Sequence, residues 1–321
     1  MSNFQITNLQ PGDIPALMQV QQEYARHFPG VQVMPGGIYL SPAFHQGEDI
    51  FCAYHPNGQM LGYAVVYAQL SQNPDVPTHT VWTEVKILPA MGHMIGLRET
   101  LLDQILRRIR ELTIDQKDAQ IEINYQYFPY EVESIAFVTS KGFPYNDSIY
   151  VMQRDLSKNL PSIQAPPGFM LKPWRLESQL EREQYVQARN LCFPNAPISL
   201  EEWVYFMSSP SWSTATNFAV FDNDQLAGCL TAFWDEEQNR NMREKIGYTE
   251  YIFVCPQWRR KGLASAMISK ALEFLQQNDL RYAQLQVRTD NRDALNLYEK
   301  LGFVIVQESG IYTRVIESNV K

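Results

Sequence analysis

Residues 254–274 read VCPQWRRKGLASAMISKALEF. Three adjacent cations, Arg259, Arg260 and Lys261, precede Gly262, and an apolar periodic pattern begins directly after the glycine. That pattern predicts a helix whose inner face carries Ala264, Met267, Ile268, Ala271, Leu272 and Leu275. A helix start offers unpaired N–H groups and a partial positive charge, and glycine lacks the Cβ that would block a close ligand. We therefore expect a pyrophosphate-binding helix start, to which the three cations add positive charge.

The residues before this stretch predict a strand with an open end. EKIGYTEYIFV, residues 244–254, alternates with period two, which places Glu250 on the same face as Val254. Pro256 cannot donate to a sheet ladder, so the strand should splay or bulge there. Backbone groups of residues 253–255 would then be free to bind an extended ligand. Two interpretations of Glu250 are open: a functional carboxylate, or an ordinary polar residue on a half-exposed strand.

The residues after it predict a further strand and helix. YAQLQVRT, residues 282–289, has strand character, and DNRDALNLYEKLGF, residues 290–303, has helical periodicity. Asn291 or the preceding aspartate can cap this helix, and Gly302 ends it as a C′ residue. Tyr298 lies on its inner face, which is compatible with a core aromatic or with a functional hydroxyl.

The chain contains two copies of one pattern. Four anchors recur in the same order at nearly one spacing: Phe28-Pro29 with Phe193-Pro194, Gly62 with Gly228, Pro89 with Pro256, and Gly142 with Gly302. Each copy predicts an α+β fold with a mixed, mostly antiparallel sheet flanked by helices, and a parallel pair where a helix crosses over. We expect domains at residues 1–157 and 169–321, joined by a Pro- and Ser-containing linker at 158–168.

Composition narrows the classes of function. The 321 residues carry a net charge of -8, which argues against nucleic acid as a partner. No apolar run is long enough to cross a membrane, and the first residues lack a secretory pattern. The four cysteines lie far apart and form no zinc-type cluster. We expect a cytoplasmic protein with no metal and no membrane partner, and an oligomer is possible.

Two motifs in the second half resemble those of the Gcn5-related N-acetyltransferase (GNAT) superfamily. Arg259-x-x-Gly262-x-Ala264 resembles its acetyl-CoA signature, Gln/Arg-x-x-Gly-x-Gly/Ala. NRDALNLYEKLGF resembles its second motif, Asn-x-x-Ala-x-x-x-Tyr-x-x-x-Gly-Phe. The resemblance covers about residues 169–321, and the duplicated pattern extends the fold to two tandem GNAT-like domains. In architecture this resembles mycothiol synthase and other two-domain members.

The resemblance implies an acetyl-CoA-dependent N-acetyltransferase that moves an acetyl group to a primary amine in a ternary complex. It assigns acetyl-CoA binding to Phe253, Val254, Cys255, Arg259, Arg260, Lys261, Gly262, Leu263, Ala264 and Asn291. Within that set, backbone N–H groups of Arg260–Ala264 hold the pyrophosphate, and the Val254 N–H polarises the thioester carbonyl. Glu250 is the implied proton acceptor, directly or through water, and Tyr298 the implied general acid. Cys255 has no evident His or Asp partner and is interpreted as a small strand residue rather than a nucleophile.

The first half departs from these motifs. It keeps Pro89 and Gly96, but its loop contains no arginine. Glu131 stands at the asparagine position and Val138 at the tyrosine position. We expect residues 1–157 to keep the fold without catalysis. The acceptor stays open between a small molecule and a peptide amine, since the second motif is also similar to that of ribosomal-protein alanine acetyltransferases. The alternative function is a non-catalytic acyl-CoA binding or scaffold protein.

Overall fold

The computed structural model describes residues 4–71, 78–116 and 119–317. The chain divides into two compact units. The first unit comprises Met1–Asn146 and Gly310–Lys321, and the second comprises Asp147–Ser309. No helix of the described residues is both long and apolar enough to cross a bilayer.

The first unit is a mixed sheet with helices on both faces. Its sheet order is β1-β2-β3-β4-β5-β12, in which only the β4–β5 pair is parallel. The strands are β1 Gln5–Asn8, β2 Ile50–Tyr54, β3 Met60–Gln69, β4 Thr78–Ile87, β5 Gln120–Tyr127 and, from the chain end, β12 Val304–Glu317. The helices are α1 Ile14–His27, α2 Leu97–Leu112 and α3 Val132–Ser140.

The second unit repeats this topology. Its sheet order is β6-β11-β10-β9-β8-β7, and only the β10–β11 pair is parallel. The strands are β6 Tyr145–Asp155, β7 Phe169–Trp174, β8 Thr216–Asp222, β9 Gln225–Phe233, β10 Ile246–Val254 and β11 Tyr282–Arg288. The helices are α4 Gln179–Cys192, α5 Leu200–Met207, α6 Glu236–Met242, α7 Leu263–Gln277 and α8 Arg292–Lys300. The predicted α+β fold in two copies is confirmed.

Alternation along the strands separates two apolar layers in the first unit. On β2, Ile50 and Cys52 join the cluster that contains α1, whereas Phe51 and Ala53 join the cluster that contains α2. Successive strand side chains point to opposite faces, so one strand can bury a helix on each side. The sheet is therefore covered on both faces, as an α+β fold with crossover helices requires.

Helix α7 is buried over a wider face than its periodicity predicted. Met267, Ile268, Ala271, Leu272 and Leu275 are fully buried as expected. Ala264, however, is only half-buried, whereas Leu263, Ala266 and Ser269 are buried. At Ser269 the burial is explained by the predicted linker. The Ser269 hydroxyl accepts a hydrogen bond from the Ile163 N–H at 3.0 Å and donates one to the Pro161 carbonyl. The segment expected to be a linker thus packs along α7 within the second unit.

The bounds of the units differ from the division expected at residues 158–168. Residues 149–155 of β6 pair with β11 and belong to the second unit, although they come from the first copy of the sequence. Residues 310–317 of β12 pair with β5 and belong to the first unit. A buried hydrogen bond of 2.6 Å from the Thr313 hydroxyl to the Asn124 carboxamide oxygen spans 189 residues of sequence. Each copy therefore supplies the last strand of the other copy's sheet.

This exchange predicts that the first unit needs the end of the chain. A variant that stops after Ser309 lacks β12, the antiparallel partner of β5, so the amides of Gln120–Tyr127 that point to β12 should lose protection from hydrogen exchange. A variant that stops after Glu317 keeps β12 and is the control. Equal protection of β5 in both truncated chains would show that the β5–β12 pairing does not stabilise the first unit.

Candidate active site

Strand β10 has one paired edge and one open edge. It pairs with β9 along most of its length, but with β11 only over Ile246–Tyr248. In the described part of the chain no strand pairs with that second edge beyond Tyr248. The expected splay is present, and it begins earlier than Pro256 indicated. The gap between β10 and β11 is open to an extended ligand that could bind like an added strand.

Only one of the three backbone positions expected at this edge points toward it. The Cys255 N–H donates to the Ala227 carbonyl of β9 at 2.9 Å. Because N–H groups alternate in direction along an antiparallel strand, the N–H of Val254 points away from β9 and into the gap. The Val254 carbonyl, which points the same way, accepts a hydrogen bond of 3.0 Å from Arg259 Nε. Phe253 and Cys255 direct their backbone groups to β9 instead.

A β-bulge interrupts β10 between Glu250 and Phe253. Tyr251 within it has a left-handed φ of +53°, which is uncommon for a bulky residue. The extra residue reverses the alternation, and Glu250 and Phe253 now lie opposite β9 residues that are two apart. The expectation that Glu250 shares a face with Val254 is therefore wrong, and Glu250 shares its face with Phe253. Strain at a bulge is one way in which proteins aim a side chain.

Glu250 is a half-buried carboxylate without a salt bridge. In the described residues it makes no hydrogen bond or ion pair, and burial raises its pKa from 4.5 to about 7. Its neighbour Tyr248 has a pKa raised to about 12, first by burial and then by the charges of Glu250, Asp235 and Glu244. A carboxylate with a pKa near neutrality is suited to accept a proton, and the acidic surroundings favour a cationic ligand.

The helix start at Gly262 has the geometry of an anion site. Gly262 is the N-cap of α7 with φ +82°, and a Cβ added there would meet no atom within 4 Å, so the backbone angle favours glycine. No side chain caps this end, and the Ala266 N–H makes the first bond to the Gly262 carbonyl at 3.2 Å. The N–H groups of Leu263, Ala264 and Ser265 are thus outside the helix ladder.

The three cations of the loop already have protein partners. Arg259 binds the Val254 carbonyl, Arg260 forms an exposed ion pair of 2.7 Å with Asp293, and the Lys261 ammonium lies 5.4 Å from the centre of the Phe169 ring. The structure therefore leaves the backbone N–H groups, more than the cationic side chains, available to an anion. The Arg260–Asp293 pair joins the loop to the first turn of α8.

Helix α8 brings the two residues of the second motif to this region. Of the two predicted cap residues it is Asn291 that caps the helix, and its side-chain oxygen accepts from the Ala294 N–H at 3.2 Å, so its NH₂ group can still bind other partners. Tyr298 is 7% exposed, and burial raises its pKa to about 12. Its hydroxyl has no hydrogen-bond partner in the described residues, so it is a protonated and uncommitted donor at neutral pH. No hydrogen bond joins Tyr298 to Glu250.

Two thiols lie beside the open edge, and sequence reasoning missed one of them. Cys255 is 2% exposed, with its Sγ 3.6 Å from the Leu226 carbonyl, as expected of a small residue at a strand end. Cys192, the last residue of α4, is half-buried, and the pKa of its thiol is lowered, first by Cys255 and also by Arg259. No motif marks Cys192, because its neighbours come from a distant part of the sequence.

The first unit contains a counterpart of Glu250, Glu84, at the same offset of 166 residues as the glycine pair (250 minus 84, and 228 minus 62). Gly62 and Gly228 occupy equivalent places on their hairpins, opposite the ends of β4 and β10. Three residues further along each hairpin, the partner on β4 is Glu84 and the partner on β10 is Glu250. The two carboxylates are therefore equivalent in the sheet. The prolines lie one position further apart, 167, because β10 has the extra residue of its bulge after Glu250 and β4 has none.

Glu84 differs from Glu250 in its partners. It accepts a hydrogen bond of 2.8 Å from the Tyr63 hydroxyl and pairs at 3.0 Å with the ammonium of Lys86, which is buried. The Glu84 carboxylate is therefore committed to two protein partners, a hydroxyl and an ammonium. In the first unit the equivalent of the free carboxylate is therefore neutralised by the protein itself.

Helix α3 of the first unit differs from α8 in a similar way, because its cap residue is held by protein partners. Glu131 lies at its N-cap, equivalent to Asn291, and is 3% exposed. Its carboxylate accepts from the Tyr24 hydroxyl at 2.6 Å and from the Phe128 N–H at 2.7 Å. Val138, at the tyrosine position, is a core residue. In the described residues of both units, no group of three or more His, Cys, Asp or Glu side chains could hold a metal ion.

Comparison with known proteins agrees with this geometry. Residues 180–303 match the acetyltransferase (GNAT) family. A mycothiol acetyltransferase of Corynebacterium kroppenstedtii is 32% identical over 99 residues, which are 30% of this chain and 27% of that protein. An N-alpha-acetyltransferase 30 of Schizosaccharomyces pombe is 26% identical over 108 residues, 33% of this chain and 67% of that protein. The chain thus spans about a quarter of the first relative and two thirds of the second.

A solved structure extends the similarity to the whole chain. The tandem GNAT protein from the clavulanic acid biosynthesis pathway superposes with a TM-score of 0.66 and 13% identity, over 99% of each chain. At this identity the likeness establishes the fold alone. The recognition from sequence is confirmed: residues 180–303 match the acetyltransferase (GNAT) family, and the fold of the chain is similar to that of a tandem GNAT protein.

The contrast between the two carboxylates predicts opposite effects on stability. Because the pKa of Glu250 is raised in the folded state, its stabilising protonated form is complete below about pH 4.5 and is lost as the pH rises through about 7. At about pH 8, Glu250→Gln should therefore raise the free energy of unfolding by about 2 kcal/mol, with no gain at about pH 4. Urea unfolding at the two pH values measures this.

The matched control is Glu84→Gln. It removes the partner of the buried Lys86 ammonium and should lower the free energy of unfolding at about pH 8. If Glu250→Gln and Glu84→Gln both raise or both lower the free energy of unfolding, the two carboxylates do not differ in their partners as proposed.

Proposed function

We propose that this GNAT-family chain is an acetyl-CoA-dependent N-acetyltransferase whose catalysis takes place in the second unit. The observation that carries the proposal is Glu250, a half-buried carboxylate without a salt bridge and with a pKa near 7, on the strand whose free edge opens beside it. The Gly262 helix start and the Val254 N–H supply the two further groups that an acyl thioester of CoA requires. Without turnover, the same features would make a non-catalytic acyl-CoA binding protein.

In this proposal the donor lies along the open edge of β10. The N–H groups of Gly262, Leu263 and Ala264 bind its pyrophosphate, and the NH₂ of Asn291 contacts its arm. Arg259, Arg260 and Lys261 surround the loop and add positive potential, although their side chains have other partners. The pantetheine arm pairs with Val254, and Phe253 and Cys255 shape the groove from behind, where their backbone groups belong to the sheet.

The chemistry follows from the groups at the edge. A protonated amine cannot attack a thioester, so Glu250 accepts one proton from it, directly or through water. The free amine then adds to the carbonyl carbon, and the Val254 N–H stabilises the negative charge that develops on the carbonyl oxygen. When the C–S bond breaks, the CoA sulfur leaves as a thiolate and takes the proton of the Tyr298 hydroxyl. The second proton of the attacking nitrogen then passes to the tyrosinate, directly or through water, which gives the neutral amide and restores Tyr298. No covalent intermediate with the enzyme is needed.

The acceptor in this proposal is a cationic primary amine. Asp235 and Glu244 lie close enough to Tyr248 to raise its pKa together with Glu250, so the acceptor side of the strand is acidic. Acidic groups around a site raise the local concentration of cations. The first unit acts without catalysis, because its own Glu84 and Glu131 are held by protein partners. A cytoplasmic location, where the four free cysteines stay reduced, is part of the same proposal.

Loss of the proton acceptor should appear in the pH profile. The kcat/KM of the wild type should rise with pH up to about 7 and then level off, because Glu250 must be ionised to accept a proton. Glu250→Gln should lower kcat/KM by roughly 10²–10⁴-fold and abolish this dependence. Free thiol release from acetyl-CoA with a panel of primary amines measures both. Glu84→Gln is the control, and its kcat/KM should stay within a few fold of the wild type once its folded fraction is taken into account.

The helix start can be tested with two matched glycines. Gly262 and Gly96 are both N-caps with φ near +80°, and a Cβ at either meets no atom within 4 Å. Glutamate at each position carries the same backbone strain and charge. Acetyl-CoA at a hundredfold excess over Kd stabilises a binding protein by about 2.7 kcal/mol, which a thermal unfolding titration detects. Gly262→Glu should lose this stabilisation, whereas Gly96→Glu should keep it.

Other results of that titration count against parts of the proposal. If only Gly96→Glu loses the stabilisation by acetyl-CoA, acetyl-CoA binds to the first unit and not to the second. Stabilisation of the wild type without thiol release on any amine would favour the non-catalytic binding protein. No stabilisation of the wild type would contradict both functions.

A further inference from the structure

The thiols of Cys192 and Cys255 meet at the junction of α4 and β10. The Cys255 Sγ lies 4.0 Å from the Ala188 carbonyl of α4. In an α-helix this carbonyl accepts the N–H of the residue four positions later, which is Cys192. Both thiols therefore lie near this carbonyl, and they are close enough to shift each other's pKa. The contact joins two elements that are 63 positions apart in the sequence (255 minus 192).

A cation lies beside this pair. The Arg259 Nε binds the Val254 carbonyl at 3.0 Å, next to Cys255. The pKa of Cys192 is lowered, first by its interaction with the Cys255 thiol and also by the charges of Arg259 and Arg189, although burial opposes this. The pKa of Cys255 is raised, first by the same interaction with Cys192 and then by burial. Cys192 is thus the more acidic and more accessible thiol, and Cys255 is a buried neutral one.

The other two cysteines lack these features. Cys52 and Cys229 are fully buried, and burial raises the pKa of both thiols, that of Cys52 to about 12. Neither has a cation among the groups that affect it. Thiol oxidation follows thiolate character and exposure, so the four cysteines should react very differently with an oxidant.

We propose that Cys192 and Cys255 form a peroxide-sensitive thiol pair, in which Cys192 is oxidised first and Cys255 resolves it. The Cys192 thiolate attacks one oxygen of hydrogen peroxide, which breaks the O–O bond, gives Cys192 sulfenic acid and releases hydroxide. The Cys255 thiol then forms the S–S bond with Cys192, and the hydroxyl group leaves with the thiol proton as water. Two thiols lose two electrons and two protons in all, and peroxide becomes two molecules of water.

The disulfide would act on the groove that the proposed function uses. It fixes the end of α4 to the residue that directly follows Val254. It also removes the thiolate that Arg259 contacts, while Arg259 remains bound to the Val254 carbonyl. We expect oxidation to close the donor edge of β10 and to abolish acetyl-CoA binding. This consequence rests on the proposed function, whereas formation of the disulfide does not.

The first experiment maps the disulfide in the full-length protein. The reduced protein is treated with hydrogen peroxide, its remaining thiols are alkylated with iodoacetamide, and its peptides are identified by mass spectrometry. We expect a Cys192–Cys255 disulfide that dithiothreitol reverses, with Cys52 and Cys229 still alkylated after unfolding. Cys229→Ser should form the same disulfide, and Cys192→Ser should form none. Oxidation of Cys52 or Cys229 ahead of Cys192, or a different pairing, overturns the proposal.

A second variant tests the order of the two steps. In Cys255→Ala the resolving thiol is missing, so Cys192 should stay as a sulfenic acid that dimedone traps. Circular dichroism checks that this variant is folded. If dimedone labels Cys192 no more than it labels Cys52, Cys192 is not the thiol that reacts first, and the proposal fails.

The effect on the donor is measured separately by the thermal titration with acetyl-CoA. The stabilisation should disappear in oxidised wild type, return after reduction, and persist in peroxide-treated Cys192→Ser. Full stabilisation of an oxidised protein that contains the disulfide would overturn the closure of the groove. If the reduced wild type is not stabilised at all, the proposed function fails, while the mapped disulfide still decides the thiol pair.

Discussion

Strand β10 pairs with its two neighbouring strands over stretches of different length. It stays paired with β9 up to Val254, yet it leaves β11 after Tyr248. Backbone N–H groups without a partner strand are costly to bury, and they can form hydrogen bonds with a ligand. The open edge is therefore where the second unit can bind an extended ligand. The bulge at Tyr251 lies within this open part. It turns Glu250 to the face of Phe253 and leaves the Val254 N–H directed into the gap, so one extra residue sets the positions of both groups.

The two units show that one topology can hold different chemistry. The strands, the crossover helices and even the left-handed glycine at the helix start are repeated. What changes is the set of partners of the carboxylates. Glu84 and Glu131 are held by Lys86, Tyr24 and a backbone amide, whereas Glu250 has no such partner in the described residues. A fold supports a function only where its polar groups are left uncommitted, and here that condition is met in the second unit.

Local sequence patterns predicted the helices and strands, whereas the bulge, the side-chain partners and the strand exchange depend on contacts between residues distant in sequence. Periodicity and the paired glycines and prolines gave the hairpins, α7 and the cap at Asn291, because these depend on neighbours in sequence. The bulge could not be foreseen, since a tyrosine at 251 carries no signal for a left-handed φ. The partners of Arg260 and Cys192 were also missed, because Asp293 and Cys255 meet them only in the folded chain. The strand exchange was invisible for the same reason: β6 and β12 each suit either sheet by pattern.

The exchanged strands constrain the order in which the chain can be assembled. A ribosome releases residues 1–146 long before residue 310, so a newly made first half emerges with the edge of β5 unpaired. An unpaired edge strand is a template for pairing with other chains. Most of the protein must be synthesised before the β5–β12 pairing can form across 189 residues. During translation β5 therefore stays without its β12 partner until the chain end is made, and dividing the gene between the two copies would take β12 away from β5 and β6 away from β11.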